Sequence, residues 1–452
     1  MKRLICLFIT VIMLSGCSGM LKSPKELISK PKLIGNQEVA REVIDQNLPA
    51  NARLVRPYIS ENLSSVDFFD WDKDGEDEVY AFYTDKTRVT SGVMIIDRNE
   101  DGWEKRATVE AVGSDIAFAS FIDFNEDGIE DIVLGLTTEG EAFKSLVVYE
   151  WQKDGYVELY KDLYTEIIID DIDRDFLKDL FVLKLDRNNF ASATLLKYEV
   201  GEFRIVDEIA LDENVNGYYN VVFAKASKEL YGVFLDSKIG SKSATNIIAY
   251  DDGRLKRVFD ESVSDSRYQL TVKDIPIISQ DIDGDGIYEI GNRFLPHIYD
   301  EDKSELPYLN TWYEWSGDSL DLDKMNYISE SEGYRFDFPK RWADAIIEGK
   351  MIIIKSRAYL SRQYLDVYIT PDESVLYKVF TLEAVSQEGY KDLVKELQEE
   401  GVPFYKLGEL RNLVYLGYNR LPIDNILESY RAFYDDMLLK EIEIRTQFQF
   451  LD

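Results

Sequence analysis

The chain has 452 residues, of which 45% are hydrophobic and 30% are charged, a composition typical of folded, multidomain proteins. Its 85 acidic and 52 basic residues give a formal net charge of −33, which argues against nucleic-acid binding because that function needs a basic surface. With one histidine and two cysteines, a His/Cys zinc site, a Cys-His nucleophile pair and a disulfide framework are all poorly supported.

The N-terminus has the pattern of a secretory signal peptide. Lys2 and Arg3 precede an apolar run, Leu4 to Met13, which is too short to span a membrane. The next residues, Leu-Ser-Gly-Cys, resemble the lipobox of bacterial lipoproteins. That resemblance implies cleavage before Cys17, a diacylglycerol group on its thiol, and anchoring by acyl chains such as palmitate on the outer face of the bacterial cytoplasmic membrane. An ordinary signal peptide with a chance cysteine is the alternative.

Three short regions precede the main body of the chain. Residues 1–16 are the predicted signal peptide, and residues 17–35, with four lysines and two prolines, are a predicted tether. Residues 36–64 are a predicted helical lead-in, because Val39, Val43 and Ile44 share one face of a helix over residues 36–46. No later stretch is long and apolar enough to span a bilayer.

Three nine-residue segments share the pattern D-x-[DN]-x-D-G-x-x-[DE]. Oxygen side chains at positions one, three, five and nine can converge on one hard cation, and position seven can add a backbone carbonyl. The glycine at position six permits the positive φ of a sharp turn. Such oxygen shells suit calcium. The predicted calcium ligands are Asp70, Asp72, Asp74, Glu76 and Glu78; Asp123, Asn125, Asp127, Ile129 and Asp131; and Asp281, Asp283, Asp285, Ile287 and Glu289.

These loops are not EF-hands. The bidentate Glu that an EF-hand needs at position twelve is replaced by Ala81, Leu134 and Asn292, and the flanking segments read as strands. Metal-free turns are the alternative, because Asp, Asn and Gly are ordinary turn residues.

A fourth copy of the pattern has Phe176 in the place of the glycine. A bulky residue at positive φ is costly, so we expect this loop to be distorted and to bind metal weakly or not at all. A fifth copy, near residue 224, has the strands without the acids. The weaker metal candidates of the fourth copy are Asp171, Asp173, Asp175 and Asp179.

The five copies recur about every 50 residues, and a predicted hairpin lies between successive copies. Two hairpins per unit make four strands, the content of one β-propeller blade. The sequence therefore predicts a mainly β fold, with about five four-stranded blades over residues 65–326. A β-sandwich would explain the strands but not the period. At its loops the chain resembles FG-GAP or VCBS-type repeats of integrin-alpha-like propellers, which implies calcium that joins two strands of a blade.

Residues 329–452 have a different pattern and are predicted to form a small α+β domain. The alternation in residues 334–338 and the apolar run 351–354 indicate strands. Ser386 can cap a helix that Gly401 ends, and Pro422 can open a final helix. These residues carry no recognisable catalytic pattern.

These features favour a lipid-anchored surface protein in which a calcium-braced propeller binds an envelope protein or a glycan, without catalysis and without nucleic acid. The alternative is a glycan-active enzyme, similar to glycoside hydrolases, that uses a pair of carboxylates in the propeller funnel. Buried carboxyls with raised pKa beside an aromatic platform would favour the enzyme. A sensor coupled through the C-terminal domain is a third hypothesis.

Overall fold

The computed structural model describes residues 36–59, 64–99, 102–153, 155–261, 264–295, 307–358, 362–372, 375–420 and 426–451. The predicted signal peptide, the tether and Cys17 lie outside these ranges, as does Pro422. The chain divides into two compact units, Met1–Glu139 with Val147–Glu158 and Gly140–Leu146 with Leu159–Asp452. Within the described ranges, no helix combines the length and apolarity that a membrane crossing requires.

The first two sheets follow the helix with which the described part of the chain begins. The first sheet has the order β1-β3-β4-β5, with β2 also paired to β3, and the second sheet runs β6-β7-β8-β9 in chain order. The elements are α1 (Asn36–Asn47), β1 (Ala52–Leu54), β2 (Val66–Phe69), β3 (Glu78–Asp85), β4 (Thr90–Asn99), β5 (Gly102–Val112), β6 (Asp115–Ile122), β7 (Asp131–Thr137), β8 (Lys144–Gln152) and β9 (Gly155–Tyr164).

Three more sheets of the same kind follow in the second unit, in the orders β10-β11-β12-β13, β14-β15-β16-β17 and β18-β19-β20-β21. Their strands are β10 (Glu166–Asp170), β11 (Asp179–Asp186), β12 (Phe190–Glu199), β13 (Glu202–Ala210), β14 (Gly217–Lys225), β15 (Tyr231–Ile239), β16 (Lys242–Asp251), β17 (Arg254–Arg257), β18 (Ile290–Phe294), β19 (Leu309–Trp315), β20 (Leu320–Ser329) and β21 (Tyr334–Phe338). A short helix, α2 (Ser266–Thr271), precedes β18.

In the first four sheets the two inner strands are more deeply buried than the outer ones. Every residue of β3 is buried, whereas β13, the last strand of the third sheet, alternates between exposed and half-buried residues. A strand that is buried on both faces needs a continuous run of apolar residues. Such runs in the sequence therefore predicted the inner strands correctly. The prediction of a mainly β chain with four-stranded antiparallel sheets is confirmed, and the number of blades stays a prediction.

The C-terminal region is α+β, as predicted. Its sheet has the order β22-β23-β24-β26-β25. Its elements are α3 (Lys340–Ile347), β22 (Met351–Ala358), β23 (Arg362–Asp372), β24 (Val375–Ser386), α4 (Gln387–Glu399), β25 (Tyr405–Leu410), β26 (Leu413–Asn419), α5 (Glu428–Met437), α6 (Glu441–Thr446) and β27 (Phe448–Phe450). Trp342 is fully buried in its core and donates a hydrogen bond from its indole N–H to the Met437 carbonyl, at 2.8 Å.

The fifth sheet crosses the boundary predicted between residues 326 and 329. β20 runs on to Ser329, and β21, assigned from sequence to the C-terminal domain, pairs with it as the fourth strand. β27, three residues near the chain end, then pairs with β21. The alternation in residues 334–338 therefore belongs to a blade-like sheet as well as to the core of the C-terminal region.

Candidate metal-binding loops

Three of the four acidic segments connect two neighbouring antiparallel strands. The Asp70, Asp123 and Asp171 loops join β2 to β3, β6 to β7 and β10 to β11, and position nine is the first residue of the second strand. The Asp281 loop lies between a Gln280–Glu289 bridge and β18. The predicted setting between two strands is therefore confirmed for three loops, whereas the strand predicted at residues 275–278, before the Asp281 loop, is not formed.

The carboxylate at position one accepts a hydrogen bond from the backbone N–H at position six in every loop. The N···O distances are 3.1 Å from Gly75 to Asp70, 3.0 Å from Gly128 to Asp123, 3.1 Å from Phe176 to Asp171 and 2.9 Å from Gly286 to Asp281. Position five likewise accepts from the N–H at position seven, at 2.8 Å in the Asp70 loop and 2.7 Å in the Asp281 loop. These bonds bend the chain around its own acids.

The carboxylate at position nine connects the end of the loop to its beginning. It accepts a hydrogen bond from the N–H at position two, at 3.0 Å from Trp71 to Glu78, 3.1 Å from Phe124 to Asp131, 2.9 Å from Ile172 to Asp179 and 2.8 Å from Ile282 to Glu289. Burial raises the pKa of these carboxyls to about 7 for Glu78, about 8 for Asp131, about 6 for Asp179 and about 7 for Glu289. A nearby cation would offset this cost of burying charge.

Phe176 does not distort its loop, so that expectation from the sequence is wrong. Its φ of 78° matches 94° at Gly75, 91° at Gly128 and 87° at Gly286. The side chain is 92% exposed, so the ring meets little of the surrounding protein, and the strain of about 1–2 kcal/mol stays in the backbone. The hydrogen bonds at positions one, five and nine are all retained.

The acids converge to different degrees. Oxygens from three acids lie within 4.8 Å of one another in three of the loops: Asp70, Asp72 and Glu78; Asp171, Asp173 and Asp179; and Asp281, Asp283 and Asp285. The Asp123 loop does not form such a set of three acids within the described ranges, and its position three is an amide, Asn125. Asn125 donates from Nδ2 to Asp127 at 3.0 Å and to Glu150 at 3.1 Å.

The Asp70 loop contains two buried carboxylate oxygens that a metal ion could bind. Oδ1 of Asp70 and Oδ1 of Asp72 are buried and have no hydrogen-bond partner among the described residues. Burial and the neighbouring charge of Asp74 raise the pKa of Asp72. A buried oxygen without a partner is unfavourable, and a cation would satisfy both atoms at once. Asp74 and Glu76 are exposed, and Glu76 lies 3.8 Å from Arg98.

Sequence reasoning missed a charged residue in each of the four sheets that hold an acidic loop. It lies on the strand that pairs with the one after the loop, called the third strand here; in the fifth sheet this is β19, where the Gln280–Glu289 bridge stands in place of the first strand. In three sheets, the residue that pairs with position ten is followed by a charged residue, namely Asp97 in β4, Lys197 in β12 and Glu314 in β19. In the second sheet, Glu150 of β8 accepts the hydrogen bond from Asn125. These residues lie far from the loops in sequence, so only the strand pairing reveals them.

Comparisons with known proteins give no family. No family model matches the chain, and no curated protein matches it. Solved structures match at low similarity: the exotype rhamnogalacturonan lyase YesX (11% identity, TM-score 0.29, 65% of this chain and 73% of that chain), a protein from Lactobacillus plantarum (14%, 0.26, 67% and 81%) and the exo-β-1,3-galactanase of Phanerochaete chrysosporium (8%, 0.26, 68% and 74%). Similarity at this level carries no argument about function.

Proposed function

We propose that the chain is a non-catalytic binding or scaffold protein whose blade-like sheets are braced by calcium at the Asp70, Asp123 and Asp281 loops. The hydrogen-bond frame that these loops share is the observation that carries the proposal. Backbone N–H groups already hold the acids at positions one, five and nine, so little further ordering is needed when an ion binds.

The residues of these loops fit a hard cation. They offer carboxylate, amide and backbone oxygens, the ligands that calcium prefers, and none of the nitrogen or sulfur ligands of zinc. The unpartnered oxygens of Asp70 and Asp72 fit the same ion. When bound, calcium would supply positive charge where several acids repel one another, and would join the first two strands of a sheet. The resemblance to FG-GAP and VCBS-type repeats is the reason to name calcium.

The proposal includes a propeller over residues 65–326 and attachment to the outer face of the bacterial membrane through a lipid on Cys17. Its partner would be an envelope protein or a glycan. The attachment has a direct test, because Cys17→Ser removes the thiol and nothing else. We expect the variant to leave the membrane fraction, and its retention there would contradict lipid anchoring.

Catalysis on a glycan is the alternative, and the described residues favour it less. It needs two carboxylates about 5–5.5 Å or 6.5–9.5 Å apart beside bound sugar. One cavity of about 640 Å³ in the second unit includes Glu314, whose pKa is raised by burial and by the neighbouring charge of Asp285. Trp315 lines the same cavity but is only 5% exposed, so its ring offers no open stacking face.

Calcium binding is tested by melting the protein in calcium and in chelator. A ligand that binds only the folded state raises Tm, so we expect a higher Tm in millimolar calcium. The variant Asp281→Asn with Asp283→Asn should lose part of that rise. Asp344→Asn is a suitable control because Asp344 is an exposed acid outside the loops, on α3. Equal melting with and without calcium would contradict the proposal.

A further inference from the structure

Lys197 lies on β12, and its ammonium group contacts the Asp171 loop. Nζ donates to Oδ2 of Asp173 at 2.6 Å and to Oδ2 of Asp175 at 2.5 Å. The lysine side chain is 15% exposed and that of Asp173 is 11% exposed, so this pair is largely shielded from water. Positions three and five are ligand positions of the loop pattern, and the ammonium therefore bridges two places that a metal ion would use.

Lysines near the other loops have a different geometry. Lys324 lies 3.2 Å from Asp283, and Lys73 lies 3.4 Å from Asp123 and 3.4 Å from Glu130, which is at position eight. Neither of these lysines bridges two ligand positions of one loop. The side chain of Lys73 is also 52% exposed, so water screens its charge.

The residue that corresponds to Lys197 is an acid in the other three sheets that hold an acidic loop. Asp97 follows Ile96, the residue that pairs with Val79 next to Glu78, and Glu314 follows Tyr313, which pairs with Ile290 next to Glu289. Glu150 accepts a hydrogen bond from Nδ2 of Asn125, at position three of the Asp123 loop, at 3.1 Å. A further negative charge beside four crowded oxygens favours a divalent cation, whereas a lysine in that place competes with one.

The charges within the loops follow the same division. Residues 70–78 contain six acids and one lysine, residues 123–131 five acids, and residues 281–289 four acids without a base. Residues 171–179 contain four acids together with Arg174 and Lys178. Lys178 pairs with Asp170 at 2.7 Å, and Arg174 lies over the ring of Tyr231, 4.2 Å from its centroid. The Asp171 loop, which Lys197 contacts, is therefore also the loop whose own residues have the least negative net charge.

We infer that Lys197 takes the place of the divalent cation in the Asp171 loop, and that the charge at this point of the third strand decides which loops bind metal. This inference rests on the proposed calcium loops and adds the residue that sets their occupancy. The third sheet would then be braced by an internal ion pair that is independent of calcium, while the other loops respond to it. Oδ1 of Asp179, fully buried and without a partner, remains available if the ammonium is removed.

The test counts calcium bound per chain by equilibrium dialysis of the purified protein and of two variants. Lys197→Glu places an acid where the other sheets have Asp97, Glu150 and Glu314, and we expect it to bind one calcium more than the wild type. Lys184→Glu is the matched control, because Lys184 lies on β11 of the same sheet as Lys197 and forms a similarly short ion pair, 2.7 Å, with Asp162 of β9. A folded Lys197→Glu variant that binds no more calcium than the wild type would overturn the inference.

A second measurement covers a variant that folds poorly. Lys197→Met removes the charge and keeps the length, and we expect its Tm in chelator to fall by several degrees and to recover in calcium more than that of Lys184→Met. An unchanged Tm in chelator would also overturn the inference. The two proposals can be contradicted independently. A wild type that binds no calcium would contradict the proposed function. The Tm of Lys197→Met in chelator would still test whether Lys197 is the counter-ion of the Asp171 loop.

Discussion

The Asp171 and Asp281 loops have the same backbone frame and different charges. In both, position six has a positive φ, 78° at Phe176 and 87° at Gly286, and its N–H donates to the acid at position one. Lys197 bridges two acids of the first loop, whereas Glu314 stands at the equivalent place beside the second. The comparison shows that backbone hydrogen bonds shape the loop, and that the third strand supplies the charge that distinguishes the two.

Lys273, a buried lysine outside the acidic loops, provides a reference for the largest loss of stability that removing a lysine should cause in this protein. Lys273 is fully buried and donates to Thr245 Oγ1 at 2.9 Å and to the carbonyls of Ile277 and Gly291, each at 2.8 Å. Its Nζ lies 3.5 Å from Asp236, which is also fully buried.

Lys273→Met should cause the largest loss of stability, about 3–5 kcal/mol, because it leaves the charge of Asp236 buried without its counter-ion. Urea unfolding would measure the loss in calcium and in chelator, and we expect the two losses to be equal. Lys242→Met is the control, since Lys242 and its partner Asp274 are exposed. If calcium restored the stability lost in Lys273→Met, Lys273 would behave as we expect of Lys197, and the proposed difference between the two lysines would be wrong.

The acids at position nine give the comparison a pH dependence. Glu78, Asp131 and Glu289 have pKa values raised to about 7, 8 and 7, so the folded state holds these protons more tightly than the unfolded state. Their contribution to the free energy of unfolding is complete below the unfolded pKa of about 4 and is lost as pH rises through the folded values.

In chelator, Tm should therefore fall between about pH 5 and pH 8, by an amount equivalent to a few kcal/mol in all. Calcium should remove most of this fall, because the ion replaces the proton as the partner of the buried charge. Thermal melts at matched ionic strength would measure both curves. A Tm in chelator that stays constant or rises over this window would contradict the proposed role of these carboxyls.

The sequence predicted the strands and the loops well because both depend on local patterns. Apolar runs buried on both faces and the D-x-D-x-D-G spacing are visible within ten residues. It did not predict Lys197 or Glu150, because strand pairing brings them to loop residues that lie 22 to 25 positions away in sequence. It also misjudged Phe176, because a costly φ was expected to change the loop, whereas three backbone hydrogen bonds hold the loop against about 1–2 kcal/mol of strain.

Substituting position one compares the two kinds of loop directly. Asp70→Asn keeps an oxygen that can accept from Gly75 but removes a charged ligand, so Tm in calcium should fall by an amount equivalent to about 1–2 kcal/mol while Tm in chelator changes little. Asp171→Asn makes the same change beside Lys197, and its effect should be equal in calcium and in chelator. Paired melts of the two variants give the measurement. If calcium changed the Tm of both variants equally, the proposed difference in metal binding between the Asp70 and Asp171 loops would be wrong.

The smallest expected effect separates backbone strain from metal binding. Phe176→Gly relieves the positive φ and loses almost no packing, because the ring is 92% exposed. We expect a gain of about 0.5–1 kcal/mol, less than the full strain because glycine has more freedom in the unfolded chain. The reverse change, Gly286→Ala, should cost about 1 kcal/mol by strain alone, since no neighbouring atom lies within 4 Å of the added Cβ. Calcium dialysis of Phe176→Gly then decides what the third strand contributes: with Lys197 in place the variant should bind no additional ion, and if it does, the glycine rather than the lysine determines which loops take metal.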